Sequence, residues 1–116
     1  MVKIIPNWIN GNEKLAIKNA KFKKLNPANG ELLFHVARSD KKDVSLAINA
    51  ANKSYLDWAF LPAVERGLLL HNVVRAMIDN KNEIAKTVHL ETGKSMKDAL
   101  GETYGAIKCV LFFASE

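Results

Sequence analysis

A single cysteine, Cys109, stands in 116 residues, so neither an internal disulfide nor a cysteine-based metal cluster can form. The three histidines, His35, His71 and His89, have no paired spacing of the kind that holds a transition metal, and surface or packing positions are expected for them. Long apolar runs are missing as well. The opening stretch Met1–Pro6 is too short and too soon interrupted for a signal peptide, and nothing approaches the roughly 18 apolar residues of a membrane-spanning helix. A cytoplasmic protein without a membrane partner is therefore expected. Two phosphate-binding signatures are absent too. Gly93-Lys94-Ser95 has the ending of a P-loop, but the first glycine of that motif would fall at Val88. Gly101 and Gly105 lack the spacing and the preceding strand of a dinucleotide fingerprint.

What the chain does have is one domain's worth of core-forming residues. Apolar residues make up 48% and charged residues 25%, a balance that excludes disorder. The net charge of +5 is unevenly spread: residues 1–44 carry nine Lys and Arg against four Asp and Glu, and 45–116 carry eight of each. Lys14, Lys18, Lys21, Lys23 and Lys24 could supply nonspecific affinity for phosphate backbones. Only Phe22 is interleaved among them, and no arginine stands ready for bidentate base contact. A solvated strand face that blunts a sheet edge is the expectation, and no nucleic-acid partner.

Residues 1–38 read as strands and 39–116 as helices, within one partial domain of α+β class. Asn10-Gly11 is a favoured hairpin turn between Ile4–Ile9 and a run near Lys14–Lys18. Lys21–Leu25 and Glu31–Ala37 flank Asn26–Gly30, which has a turn initiator, a proline and a glycine for positive φ, giving a meander or a pair of hairpins. From Asp40 the period becomes helical: Ser39 or Asp40 can cap, and Val44, Ala47, Ile48, Ala51, Tyr55 and Trp58 form one stripe to about Phe60. Pro62 opens a second helix, with Leu69, Leu70, Val73, Val74, Met77 and Ile78 to about Asp79. Asn80 with Glu83 reads as a capping box starting a third, Lys81–Leu90. A fourth, from about Met96 to Ala114, puts Ala99, Thr103, Ala106, Ile107, Val110 and Phe113 on one side. Gly101, Gly105 and Cys109 lie on another, at a spacing that admits a close neighbour. Leu111, Phe112 and Phe113 end it on an exposed apolar note. Among apolar neighbours Cys109 is expected to pack in the core as an inert thiol.

Leu90, Glu91, Thr92, Gly93 and Lys94 form the most specific run. Gly93 stops one helix, and Ser95 with Asp98 caps the next. Together with Asn26-Pro27 and Gly30, Glu65-Arg66 before a Leu-rich helix, Gly101-Glu102 and Phe112–Glu116, this corner closely resembles the N-terminal part of NAD(P)-dependent aldehyde dehydrogenases. The likeness runs from about Trp8 to Glu116, and Gly101-Glu102 with Phe112–Glu116 is similar to members acting on semialdehydes of small dicarboxylic acids. By that resemblance the full enzyme oxidises an aldehyde to a carboxylic acid with NAD or NADP. A cysteine forms a thiohemiacetal before hydride leaves for the nicotinamide. The resemblance also implies that this cysteine, the general-base glutamate and the dinucleotide-binding elements all lie beyond Glu116. The expectation is thus a truncated N-terminal fragment, inactive alone, with no catalytic or cofactor-binding residue of its own and no NAD or NADP bound by this chain alone. Its expected partner is the missing remainder of the enzyme or a homologous subunit. A helical interaction module docking on a full-length dehydrogenase is the alternative. Glu91 admits two readings: an ordinary acid near a helix end, or, by resemblance, a residue that helps hold a structural monovalent cation with main-chain oxygens near Leu25.

Overall fold

A computed structural model describes residues 3–116, so the first two residues of the Met1–Pro6 run lie outside the described part. Five strands precede four helices: β1 (Ile4–Ile5), β2 (Asn7–Ile9), β3 (Asn12–Lys14), β4 (Lys21–Leu25), β5 (Leu32–Ala37), α1 (Lys41–Phe60), α2 (Ala63–Asp79), α3 (Lys81–Thr92) and α4 (Met96–Ser115). The α+β reading holds. Two compact units divide the chain, one comprising the residues up to Asn26 with Gly30–Phe60, the other Pro27–Asn29 with Leu61–Glu116.

In the first unit, Asn10 and Gly11 both take positive φ, 54° and 72°, and join β2 to β3 in register Trp8↔Glu13 and Ile9↔Asn12. Positive φ at both central residues is the geometry that makes Asn-Gly a hairpin turn. A second hairpin, β4–β5, closes through Asn26–Gly30, where the Gly30 amide donates to the Asn26 carbonyl at 2.8 Å. The strands thus form two hairpins and no meander. One pairing departs from anything local: β1 runs parallel to β5, Ile4 opposite His35, giving the order β1-β5-β4. Pro6, which has no amide to donate, falls between β1 and β2, so the expected Ile4–Ile9 strand is split between two sheets. Likewise β3 stops at Lys14, and the run toward Lys18 turns instead, with the Asn19 amide donating to the Ala16 carbonyl at 2.7 Å.

Asp40 and Asp43 start α1 together. Asp40 Oδ1 accepts the Lys42 amide at 2.8 Å while Asp43 Oδ2 accepts the Asp40 amide at 2.9 Å, a reciprocal capping box. Ser39, the other candidate cap, donates to Asn7 Oδ1. The second Asp43 oxygen reaches 26 residues back to accept the Ile17 amide at 3.0 Å, and this carboxylate is only 4% exposed. One buried side chain therefore fixes both the helix start and the turn after β3. Lys18 pairs with Asp40 at 3.0 Å and, with the Lys42 amide, holds the Asp40 carboxyl below the usual carboxylate range.

The second unit is helical. Glu65-Arg66 opens α2, where the Arg66 guanidinium donates to the Leu61 carbonyl at 2.6 Å. Both α2 and α3 pack on α4, through Val74, Ala85, Ala99, Thr103, Ile107 and Ala114. Gly67 is obligatory at this seam: a β-carbon there would stand 2.8 Å from the Ala114 carbonyl oxygen. The Asn80–Glu83 capping box does not form. Asn80 makes no side-chain cap to α3, and its side-chain Nδ2 donates backward to the Ala76 carbonyl at 2.8 Å, closing α2. A single residue between two helices can serve the carbonyls behind it or the amides ahead, and here the carbonyls win.

Asp43→Ala removes the acceptor of two backbone amides in a buried position and is expected to cost about 2–3 kcal/mol. The check is a urea unfolding curve of the variant against the parent chain, with Ser45→Ala, on the exposed side of α1, remaining near the parent midpoint.

Candidate functional site

The corner between α3 and α4 is the most fully determined local structure in the chain. Gly93 ends α3 with φ of 74°, and its amide donates to the His89 carbonyl at 2.9 Å. Its missing side chain matters equally, since a β-carbon there would come within 3.1 Å of Pro27 Cγ. The Asn-Pro-x-x-Gly turn and the Thr-Gly-Lys corner, 66 positions apart at Pro27 and Gly93, therefore touch.

Around that contact every polar group has a local task. His89 Nδ1 donates to the Lys94 carbonyl at 2.6 Å, which fixes the ring tautomer because a carbonyl only accepts. Thr92 Oγ1 donates to the Val88 carbonyl at 2.6 Å. Ser95 Oγ accepts the Asp98 amide at 3.1 Å and donates to Asp98 Oδ2 at 2.7 Å, starting α4. Lys94 Nζ pairs with Glu102. In a P-loop the lysine and the loop amides face a phosphate. Here the lysine is engaged by a carboxylate of the next helix, and the glycine amide by the preceding turn.

Glu91 is half-buried in the last turn of α3, in the second unit, and Leu25 ends β4 in the first. No group of three or more His, Cys, Asp or Glu side chains among the described residues could hold a metal ion. A cation beside Glu91 would have to take its remaining ligands from main-chain, hydroxyl or water oxygens. That donor set suits a hard monovalent or alkaline-earth ion and not a transition metal. His35, His71 and His89 are each half-buried, the first on β5, the others on α2 and α3.

Cys109 is exposed, contrary to the core position expected from its apolar neighbours. The reason is geometric. The neighbours Ile107 and Val110 turn toward α2 and α3, whereas Cys109 lies with Gly101 and Gly105 on the opposite side of α4. A β-carbon on either glycine would meet nothing within 4 Å, so the two glycines have no close neighbour among the described residues. The expected uncovered end of α4 is present: Leu111, Phe112 and Phe113 are 41%, 60% and 64% exposed, with Phe112 and Phe113 edge to face. Phe113 thus leaves the buried side assigned to it, and Ala114 takes its place. The basic run lies on the surface, with Lys14, Lys18, Lys21 and Lys23 exposed and β4 at a sheet edge. No helix of the described residues is long and apolar enough to cross a membrane.

Residues 15–116 match the profile of the Aldehyde dehydrogenase family. The chain belongs to that family. Malonate-semialdehyde dehydrogenase 2 of Bacillus cereus (strain ZK / E33L) is 35% identical over 112 residues, which cover 97% of this chain and 23% of the relative. Malonate-semialdehyde dehydrogenase of Halalkalibacterium halodurans is 38% identical over 89 residues, covering 77% of this chain and 18% of the relative. Among solved structures, an NADP-dependent enzyme of E. coli superposes with a TM-score of 0.93 at 32% identity over 96% of this chain and 23% of that one. PnpE, solved in complex with nicotinamide adenine dinucleotide, gives 0.92 at 27% identity, over 95% and 23%. The chain thus spans about a quarter of the length of the aldehyde dehydrogenases it matches, as a segment of such an enzyme does. Nothing in its geometry or in these likenesses favours a free-standing interaction module.

The exposure of Cys109 has a direct consequence for this aldehyde dehydrogenase segment. Under native conditions a maleimide is expected to label it completely and at a rate within a few-fold of a denatured control. Mass spectrometry of the intact chain checks this, and labelling only after unfolding would contradict it.

Proposed function

We propose that this chain is the N-terminal structural segment of an NAD(P)-dependent aldehyde dehydrogenase, and that the whole enzyme oxidises a semialdehyde of a small dicarboxylic acid to the corresponding acid. The observation that carries this reading is the 35% identity to a malonate-semialdehyde dehydrogenase across nearly the whole chain. The segment contributes no chemistry by itself. Its one cysteine lies on an exposed helix face, and its Gly-Lys-Ser sequence is a helix corner. The partner that restores activity is the remaining polypeptide of the enzyme, which supplies the nucleophile, the base and the dinucleotide site. The purified chain, given malonate semialdehyde with NAD or NADP, is expected to form no reduced dinucleotide above a protein-free control and to bind neither dinucleotide in a calorimeter. Aldehyde-dependent NAD(P)H formation that Cys109→Ser abolishes would overturn the reading.

Glu91 serves this segment as one carboxylate ligand of a structural monovalent cation, beside oxygens of the main chain. Its support is its half-buried place at the carbonyl end of α3, where helix carbonyls run out of intrahelical donors. Potassium, compared with a bulky tetraalkylammonium salt at equal ionic strength, is expected to raise the melting temperature of the parent chain but not of Glu91→Gln. Equal responses of the two chains would assign Glu91 to the corner alone.

A further inference from the structure

Two asparagines in this chain are followed by glycine, Asn10-Gly11 and Asn29-Gly30, and all four residues are exposed. In such a step the amide nitrogen of the second residue can close a five-membered ring on the side-chain carbon Cγ of the first. Glycine hinders this least, because it has no β-carbon and its backbone turns freely. Space is open at both glycines, where a β-carbon would meet nothing within 4 Å, so neither exposure nor crowding distinguishes the two steps. Hydrogen bonding does. The Gly30 amide, the nitrogen that would attack Asn29, donates to the Asn26 carbonyl at 2.8 Å and closes its turn. At the other step, neither the Gly11 amide nor the Asn10 side chain has a hydrogen-bond partner among the described residues.

A third residue acts on Asn10-Gly11. Asn12 Nδ2 donates to the Asn10 carbonyl oxygen at 2.8 Å. That oxygen and the Gly11 nitrogen belong to one peptide group, coupled by resonance. When the nitrogen loses its proton, negative charge spreads onto the oxygen, where the Asn12 donor meets it. A hydrogen bond to the charged form of a group favours that form, so Asn12 raises the share of the Gly11 nitrogen in its nucleophilic state.

We propose that Asn10 is a site of spontaneous covalent modification, assisted by Asn12, at which the asparagine becomes aspartate and isoaspartate through a cyclic imide. The Gly11 nitrogen, having lost its proton to hydroxide, bonds to Asn10 Cγ. The Cγ–Nδ2 bond breaks, and ammonia leaves with a proton taken from water. Water then opens the ring at either carbonyl, giving aspartate by attack at Cγ and isoaspartate by attack at the main-chain carbon. The net change exchanges one NH for one O, and water is the only co-reactant. The two products differ in what they do to the hairpin. Aspartate tolerates the left-handed conformation that Asn10 holds at φ 54°, and Asp-Gly suits the same turn. Isoaspartate inserts a methylene into the main chain between Ile9 and Gly11, which breaks the turn that sets Ile9 opposite Asn12. Ile9 is 8% exposed, so the isoaspartyl form disturbs a core position as well as the turn.

The test incubates the folded 116-residue chain at mildly alkaline pH, digests it with an acid protease and locates each exchange of NH for O by fragment mass spectrometry. An isoaspartyl methyltransferase with a labelled methyl donor counts the isoaspartyl product. Asn10 is expected to convert at least tenfold faster than Asn29, and the two rates are expected to come within a few-fold of each other in guanidinium chloride. Equal rates in the folded chain would overturn the assignment, as would aspartate formed without isoaspartate, the mark of direct hydrolysis. Asn12→Ala is expected to slow the conversion of Asn10 at least threefold in the folded chain and to leave it unchanged in denaturant. A merely structural role for Asn12 would loosen the turn and speed the reaction, so an unchanged or raised rate in the folded variant removes Asn12 from it. For the consequence, Asn10→Asp is expected to melt within a degree or two of the parent and the separated isoaspartyl form several degrees lower. Equal melting of the two would overturn the effect on the hairpin. None of these outcomes depends on which aldehyde the whole enzyme oxidises.

Discussion

The constraint on which the rest depends is that this chain closes only a small core. The buried apolar residues among those described are Ile9, Ala16, Ala37, Val74, Ala85, Ala99, Ile107 and Ala114, of which five are alanine, and no large side chain is completely buried. Apolar burial contributes about 25 cal/mol per Å², so alanines give little each. Small side chains do allow close approach, and the helices of the second unit use it, with Gly67 against the Ala114 carbonyl as the extreme case. The large apolar side chains, Trp8, Tyr55, Phe60, Phe112 and Phe113 among them, point elsewhere. A quarter-length segment of a larger enzyme gives this balance, because its small residues seat its own helices and its large ones remain uncovered.

Polar groups compensate where apolar burial is thin. Asp43 collects two amides from different points of the first unit, and Thr103 turns its hydroxyl to the Ala99 carbonyl within α4, so that these two buried polar residues are both engaged. The corner at Gly93 works by a different means. It combines a backbone conformation that glycine adopts without strain with an approach to Pro27 that a β-carbon would crowd. Two motifs that serve as family signatures in the linear sequence are thus the two sides of one packing contact. Their chemistry is conformational, and the Gly-Lys-Ser within them caps helices instead of cradling a phosphate.

Local signals were the legible ones. The Asn10-Gly11 hairpin, the Asn26–Gly30 turn, the glycine stop at Gly93 and the Ser95 cap each depend on backbone preferences of two to five neighbouring residues, and each is found where those preferences put it. Harder to read were choices between equally local alternatives. Asn80 has the chemistry to cap either helix beside it and closes the earlier one. Cys109 has apolar neighbours in sequence, but a helix places neighbours in sequence on different faces, and the face decides burial. Asp43 reads as an ordinary acid in a first helical turn, and nothing in the linear sequence ties it to the Ile17 amide 26 residues earlier.

By itself, then, the sequence determined the order of strands before helices, most of the turns and caps, and the family, because these rest on short-range backbone energetics and on residue identity. Tertiary structure alone decided that β1 pairs in parallel with β5, that Pro27 meets Gly93, and which side of each helix remains uncovered. Those outcomes depend on which surfaces come within van der Waals reach of one another, and periodicity specifies that a helix has an apolar face without specifying what lies against it.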